Sequence, residues 1–332
     1  MTSSRADSSL HVHGLGHFHP ETVLDNAFLE SLDIGTNDAW IQSRTGIRSR
    51  RTVLPLDYIR ATRNADVRAA REAQLVSTAE TGRRAALMAI ERAGISVADV
   101  GMVIAGTSCP DHTAPSEAAG IADALGADVP AFDLASACTT FGLQCHHVRA
   151  LGDAVPDWVL LVVPENMTRV VDFSDRSSAV LFGDATIAAV VSTRHPAAVR
   201  IRSTTFGARP SGAGEVRIPR VGHFTQHGAV VQKFAIKKMV ELVEGVRATR
   251  PDTSRRLVYV GHQANLVALE SVARRCAIED ADHLRNIEEF GNTGAAGAPS
   301  VLSQRWGELR DLDVAVAIVG AGLSWSSLLL SA

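Results

Sequence analysis

No apolar run in the 332-residue sequence reaches the roughly 18 residues that a membrane-spanning helix needs. The opening MTSSRADSSL is polar, and no apolar h-region precedes a small-residue cleavage site. The expectation is a short loose N-terminus on a cytoplasmic protein without a membrane partner. Neither sign of charge dominates: 33 Lys and Arg stand against 36 Asp and Glu, a net of −3. Nothing therefore draws the whole chain to nucleic acid, and a polyanionic partner has to find a local basic patch. The four cysteines at 109, 138, 145 and 276 form no CxxC pair, so spacing supports neither a disulfide framework nor a zinc site. No GxGxxG follows a strand-like run, which leaves dinucleotide binding without support. The histidines of HVHGLGHFHP alternate as strand faces do, with no carboxylate or cysteine in register, and no metal is expected there.

What is present is a chain 46% hydrophobic and 21% charged, ample for one large core or two fused ones. Strand-like runs at 100–108, 131–137, 157–165 and 179–192 alternate with helix-like ones. A second series follows after about residue 195: AVRIRSTTFG, a helical stretch at 230–248, LVYVG at 257–261, a helix over 264–276 and VAVAIVGAG at 314–322. This order predicts an α/β protein of two similar halves, 1–195 and 196–332. The charged, Arg-rich stretch 55–85 reads as a surface excursion, either a solvated loop and helix or a lid or docking element.

Cys138 ends the run AFDLASA and opens a helical pattern, so it is expected at a helix N-terminus, where unpaired amides and the dipole favour a thiolate. Cys109, Cys145 and Cys276 lack that position and read as structural. His146 and His147 lie too far into the same helix to serve Cys138. Better partners are His262 in GHQANL and Asn292 in EFGNTGAAGAP, each at a strand-to-helix junction of the kind that gathers at one edge of an α/β sheet. Singly, each also reads as a satisfied loop residue; together with Cys138, a candidate nucleophile, they form a set.

Six blocks in order resemble the ketoacyl-acyl-carrier-protein synthases of type III: DAWIQSRTGIRSRR at 38–51, DLASACTTFG at 133–142, SDRSSAVLFGDAT at 174–186, GHQANL at 261–266, FGNTGAAGAPSVL at 290–302 and GAGLSWSSLL at 320–329. The resemblance implies a five-layered αβαβα thiolase-like homodimer that acylates Cys138 and then condenses the acyl group with a decarboxylating malonyl-type thioester. It implies that His262 and Asn292 hold the second substrate's carbonyl and that the amides of Cys138 and Ala321 form an oxyanion hole. It further places Trp40, Arg44, Arg169 and Asn265 at coenzyme A, and Lys233, Arg274 and Arg275 at an acidic acyl carrier protein. No cofactor is implied beyond coenzyme A or phosphopantetheine thioesters as substrates. Three departures point to a specialised enzyme for medium, long or unusual acyl groups: Val267 in HQANLV where an arginine is usual, the long 55–85 excursion, and Ala114 where the partner's acyl pocket usually receives a large side chain. The alternatives are an acyltransferase delivering the group to an alcohol or amine, and a non-catalytic partner subunit.

Overall fold

The computed structural model describes residues 9–332, so the expectation of a loose N-terminus at 1–8 lies outside the described residues. The described residues form thirteen strands: β1 (Leu10–Phe18), β2 (Thr22–Asp25), β3 (Ser49–Thr52), β4 (Met102–Ala105), β5 (Ala131–Asp133), β6 (Val159–Asn166), β7 (Asp184–Ser192), β8 (Val199–Ala208), β9 (Val216–Arg217), β10 (Thr225–Gln226), β11 (Arg256–Gly261), β12 (Leu312–Gly320) and β13 (Ser324–Ser331). Nine of them form one mixed sheet in the order β11-β12-β13-β8-β1-β7-β6-β4-β5. Its middle is a short antiparallel seam of three residue pairs between β1 and β8, Leu10 with Ile201 to Val12 with Val199. The two half-sheets on either side repeat one plan: each ends in an antiparallel pair, β6 with β7 and β12 with β13, and each adds a parallel neighbour, β4 to β6 and β11 to β12.

Side-chain alternation sorts the layers. Leu161, Val163, Ile187, Ala189, Val314, Val316 and Ile318 point into one core shared by both halves, together with Phe141 and Val148 of helix Thr140–Leu151 and Val301 and Leu302 of helix Gly297–Gln304. The intervening residues point the opposite way. Leu160, Val162, Ala188 and Val190 meet helices Thr78–Ala93 and Glu117–Leu125, while Tyr259, Ala317 and Val319 meet helices Gly228–Ala248 and Leu266–Arg275. Helix, sheet, helix, sheet, helix is therefore the stacking order. Because both faces are covered, β6 and β7 are buried at every residue, which is why their sequences read as continuous apolar runs.

The 179–192 run departs from a single strand. Ala179 closes the short helix Arg176–Ala179, and β7 starts only at Asp184. The intervening residues pair with the turn around Asn292: its amide donates to the Leu181 carbonyl at 2.8 Å, and Gly183 donates back to its carbonyl at 3.1 Å. The 55–85 excursion forms helices Leu56–Thr62 and Ala69–Ala73 before entering helix Thr78–Ala93. Ile59 and Ala70 anchor it in a core satellite, and none of its residues lines the large cavity described below. Among the described residues, no helix is long and apolar enough to cross a membrane.

Candidate active site

The backbone entering helix Thr140–Leu151 makes a sharp elbow. Ala137 takes φ +45°, a left-handed conformation that costs an alanine on the order of 1 kcal/mol or more. The elbow persists because it is over-determined. The Thr140 hydroxyl accepts from the Ser136 amide at 2.9 Å and donates to the Ala137 carbonyl at 2.7 Å. The Thr139 hydroxyl donates to the Ser136 carbonyl at 2.7 Å and pairs with the Ser324 hydroxyl at 2.9 Å, which donates to the Ala321 carbonyl at 3.0 Å. Cys138 sits at the tip, two residues before the helix starts; as a residue it is half-buried, with its sulfur drawn into the cavity described below, whereas the other three cysteines are buried. Gly320 lies beneath it: a Cβ there would stand 3.2 Å from the Cys138 nitrogen and 3.3 Å from its Cβ, so a side chain would press the elbow away from the end of β12 by a few tenths of an ångström.

The second and third groups come from the other half: His262 from the end of β11, as expected, and Asn292 from the turn after the short helix Ile287–Phe290, where a strand-to-helix junction was expected. His262 follows β11 and is held by its amide donating to the Ala317 carbonyl at 2.9 Å. Asn292 precedes helix Gly297–Gln304, as Cys138 precedes helix Thr140–Leu151 in the first half. Its Oδ1 accepts the Gly294 amide at 3.1 Å, which leaves Nδ2 as the amide atom available to a ligand. Cys138, His262, Asn292 and Ala321 all line one cavity of about 830 Å³.

The lining of this cavity falls into two groups. An apolar arm comprises Met167, Val180, Phe182, Val216, Ile218 and Phe224. A polar mouth comprises Trp40, Arg44 and Asn265, with Val267 exposed beside them. Asn265 caps helix Leu266–Arg275 through the Ala268 amide and donates to the Arg44 carbonyl at 2.9 Å, tying the two sides of the mouth together. Lys233, Arg274 and Arg275 are exposed on the two helices that border this mouth. Ala114 is exposed on the loop after β4 and does not line its own chain's cavity.

Arg169 does not line the cavity, contrary to expectation. Only 2% of it is exposed; its two terminal nitrogens are committed to protein, ion-paired with Asp111 and bonded to the Cys109 carbonyl and Gln74, while its Nε is buried without a partner. Arg176 does line the cavity, with its guanidinium carbon 5.0 Å from the centre of the Trp40 ring. The expectation for Cys138 also changes. Burial, with a further push from Glu165, raises the thiol to about 12. Burial lowers the His262 imidazole to about 4. The resting pair is therefore neutral thiol and neutral imidazole, and the helix alone does not make a thiolate.

Sequence reasoning passed over Arg176 and Glu165. The signal for Arg176 was its place in SDRSS, and for Glu165 it was a carboxylate closing the otherwise apolar run VLLVVPE.

A model of the family 3-oxoacyl-[acyl-carrier-protein] synthase III matches residues 132–210, and a model of its C-terminal part matches 254–332. The beta-ketoacyl-[acyl-carrier-protein] synthase III of Oceanobacillus iheyensis is 33% identical over 326 residues, covering 96% of this chain and 97% of that one. The crystal structure of 3-oxoacyl-[acyl-carrier-protein] synthase III from Aquifex aeolicus has a TM-score of 0.85 at 28% identity, covering 97% of this chain and 100% of that one. The priming beta-ketosynthase of the R1128 polyketide pathway gives 0.81 at 26% identity, covering 97% and 96%. With that similarity running the length of a thiolase-like fold, the chain belongs to the beta-ketoacyl-[acyl-carrier-protein] synthase III family of acyl-transferring condensing enzymes.

Proposed function

We propose that this enzyme moves an acyl group from a thioester to Cys138 and condenses it with a malonyl-type thioester as carbon dioxide leaves. The observation that carries this reading is the single cavity shared by Cys138, His262 and Asn292. In the first half-reaction the sulfur attacks the thioester carbonyl, the thiol proton passes to His262, and the departing thiol takes a proton back. The amides of Cys138 and Ala321 receive the charge on the carbonyl oxygen. In the second, the bond to the malonyl carboxylate breaks and its electron pair becomes an enolate held by His262 and the Asn292 Nδ2. That carbon attacks the acyl-cysteine, and the C–S bond breaks to regenerate Cys138.

A neutral amide suits this task better than a carboxylate would, because it donates to the enolate oxygen without repelling it. That choice disfavours acyl delivery to an alcohol or amine, which needs a proton acceptor at the same place. The apolar arm and the small side chain at Ala114 support medium, long or unusual acyl groups, as in a specialised pathway. Trp40, Arg44 and Arg176 suit a coenzyme A or phosphopantetheine end, and Lys233, Arg274 and Arg275 suit an acidic carrier protein. A homodimer is supported by β5, which ends the sheet with Phe132 exposed and its outer backbone edge unpaired. Intact-protein mass spectrometry after exposure to a panel of acyl thioesters tests the substrate class. An octanoyl or longer adduct formed in preference to acetyl supports it, and an acetyl preference refutes it.

A further inference from the structure

Glu165 is fully buried near the end of β6, and among the described residues no cation contacts its carboxylate. Burial raises it to about 7, so it is held near the boundary between its charged and neutral forms. A carboxylate kept in such a place normally has a task, because an apolar residue would fill β6 at lower cost. Its contacts come from two segments that both reach the cavity. Oε1 accepts from the Ser108 hydroxyl at 3.0 Å and the Ala295 amide at 3.4 Å; Oε2 accepts from the Ser108 amide at 3.1 Å and the Thr107 hydroxyl at 3.3 Å. Ser108 and Asn292 line the cavity. Ala295 belongs to the same tight turn as Gly294, whose amide holds the Asn292 Oδ1. The fit is close: Gly294 has φ +56°, and a Cβ there would lie 3.0 Å from the Glu165 Cδ.

We propose that Glu165 is a positioning residue for the decarboxylation half-reaction: by clamping the 294–296 turn against the 107–108 segment it aims the Asn292 amide at the enolate. It does not touch the substrate. The chain of contact runs from the carboxylate to the Ala295 amide, along one peptide to Gly294, and from the Gly294 amide to Asn292. Glu165 also stands close enough to Cys138 for its charge to oppose the thiolate. Removing the charge therefore acts in opposite directions on the two half-reactions, which a loss of packing alone does not do.

The inference rests on the condensing reading above. Glu165→Gln keeps the shape of the side chain but sets an NH2 group against the Ser108 or Ala295 amide. The experiment follows malonyl-thioester decarboxylation and Cys138 acylation in one preparation, both normalised to the amount of Cys138 that acylates to completion. The expected result is a fall in decarboxylation kcat of about a hundredfold with KM within about twofold, while Cys138 acylates as fast as in the wild type or faster. Glu165→Asp, which keeps the charge but draws the carboxylate back from Ala295, should show the fall in decarboxylation with acylation at the wild-type rate, and serves if the glutamine variant does not fold. Equal losses in both half-reactions, or no loss of decarboxylation in either variant, overturns the proposal. A wild-type enzyme that acylates Cys138 but never releases carbon dioxide overturns the condensing reading itself, whatever the variants do.

Discussion

Replacing His262 with alanine should cripple the loading of Cys138 as well as the condensation, and the size of the effect follows from the burial of both groups. Cys138 is pushed up to about 12 and His262 down to about 4. Burial thus disfavours charge on either group, and the proton moves as the sulfur attacks, when the acyl oxygen charge is taken up by the Cys138 and Ala321 amides. General-base help of this kind is worth roughly 10²- to 10⁴-fold. His262→Ala should therefore slow acylation by that factor at pH 7, and the deficit should shrink as hydroxide takes over at higher pH. Asn292→Ala should leave acylation within a few-fold, because Nδ2 meets only the second substrate, while lowering decarboxylation by about 10²- to 10³-fold. Time courses of the acyl adduct by intact mass, taken from pH 6 to pH 9, measure the first, and carbon dioxide release measures the second. Undiminished acylation of His262→Ala at pH 7 would mean that the elbow already holds a thiolate, and the neutral-pair account would be wrong.

Arg176→Ala should raise KM for a coenzyme A thioester about tenfold with little change in kcat, since it loses one charged contact at the mouth. Arg169→Ala should instead lower Tm, with a loss of roughly 3–5 kcal/mol, because it strands Asp111 without its buried partner. Ala114→Phe should penalise octanoyl and longer donors and spare acetyl, each methylene excluded from the arm forfeiting about 0.8 kcal/mol; unchanged selectivity in competition assays would remove Ala114 from the acyl pocket. His19 is stacked on Phe290 at 3.8 Å with its Nε2 unpartnered, and burial lowers it to about 3. Its folded form resists a proton that the unfolded form accepts at 6.5. Its contribution is therefore complete above that pH and is lost as pH falls toward 3. His19→Phe should flatten the acid side of the Tm curve relative to wild type, and parallel curves would refute this.

The layers were legible because the strands buried on both faces spell apolar runs, and the repeated order of elements announced two alike halves. The site was legible where chemistry needs one residue type at one junction, as for Cys138, His262 and Asn292. Arg169 misled because two arginines seven residues apart look alike, and only the fold reveals that Asp111 waits beside the first. The protonation of Cys138 was out of reach for a related reason. The helix start is visible in the sequence, but the walls that desolvate the sulfur come from residues 40 to 320. Glu165 escaped notice because its partners lie some 57 and 130 positions away in the chain.

The central claim is that an acyl group on Cys138 becomes the end of a longer chain. Its most direct test gives the purified enzyme an isotopically labelled acyl thioester and an unlabelled malonyl thioester and follows both protein and product by mass spectrometry. The account predicts a labelled adduct on the Cys138 peptide, its discharge when the malonyl thioester is added, one carbon dioxide per turnover and a labelled 3-oxoacyl thioester two carbons longer, all absent in Cys138→Ala. A labelled ester or amide without release of carbon dioxide, or a labelled 3-oxoacyl product from Cys138→Ala, would contradict it.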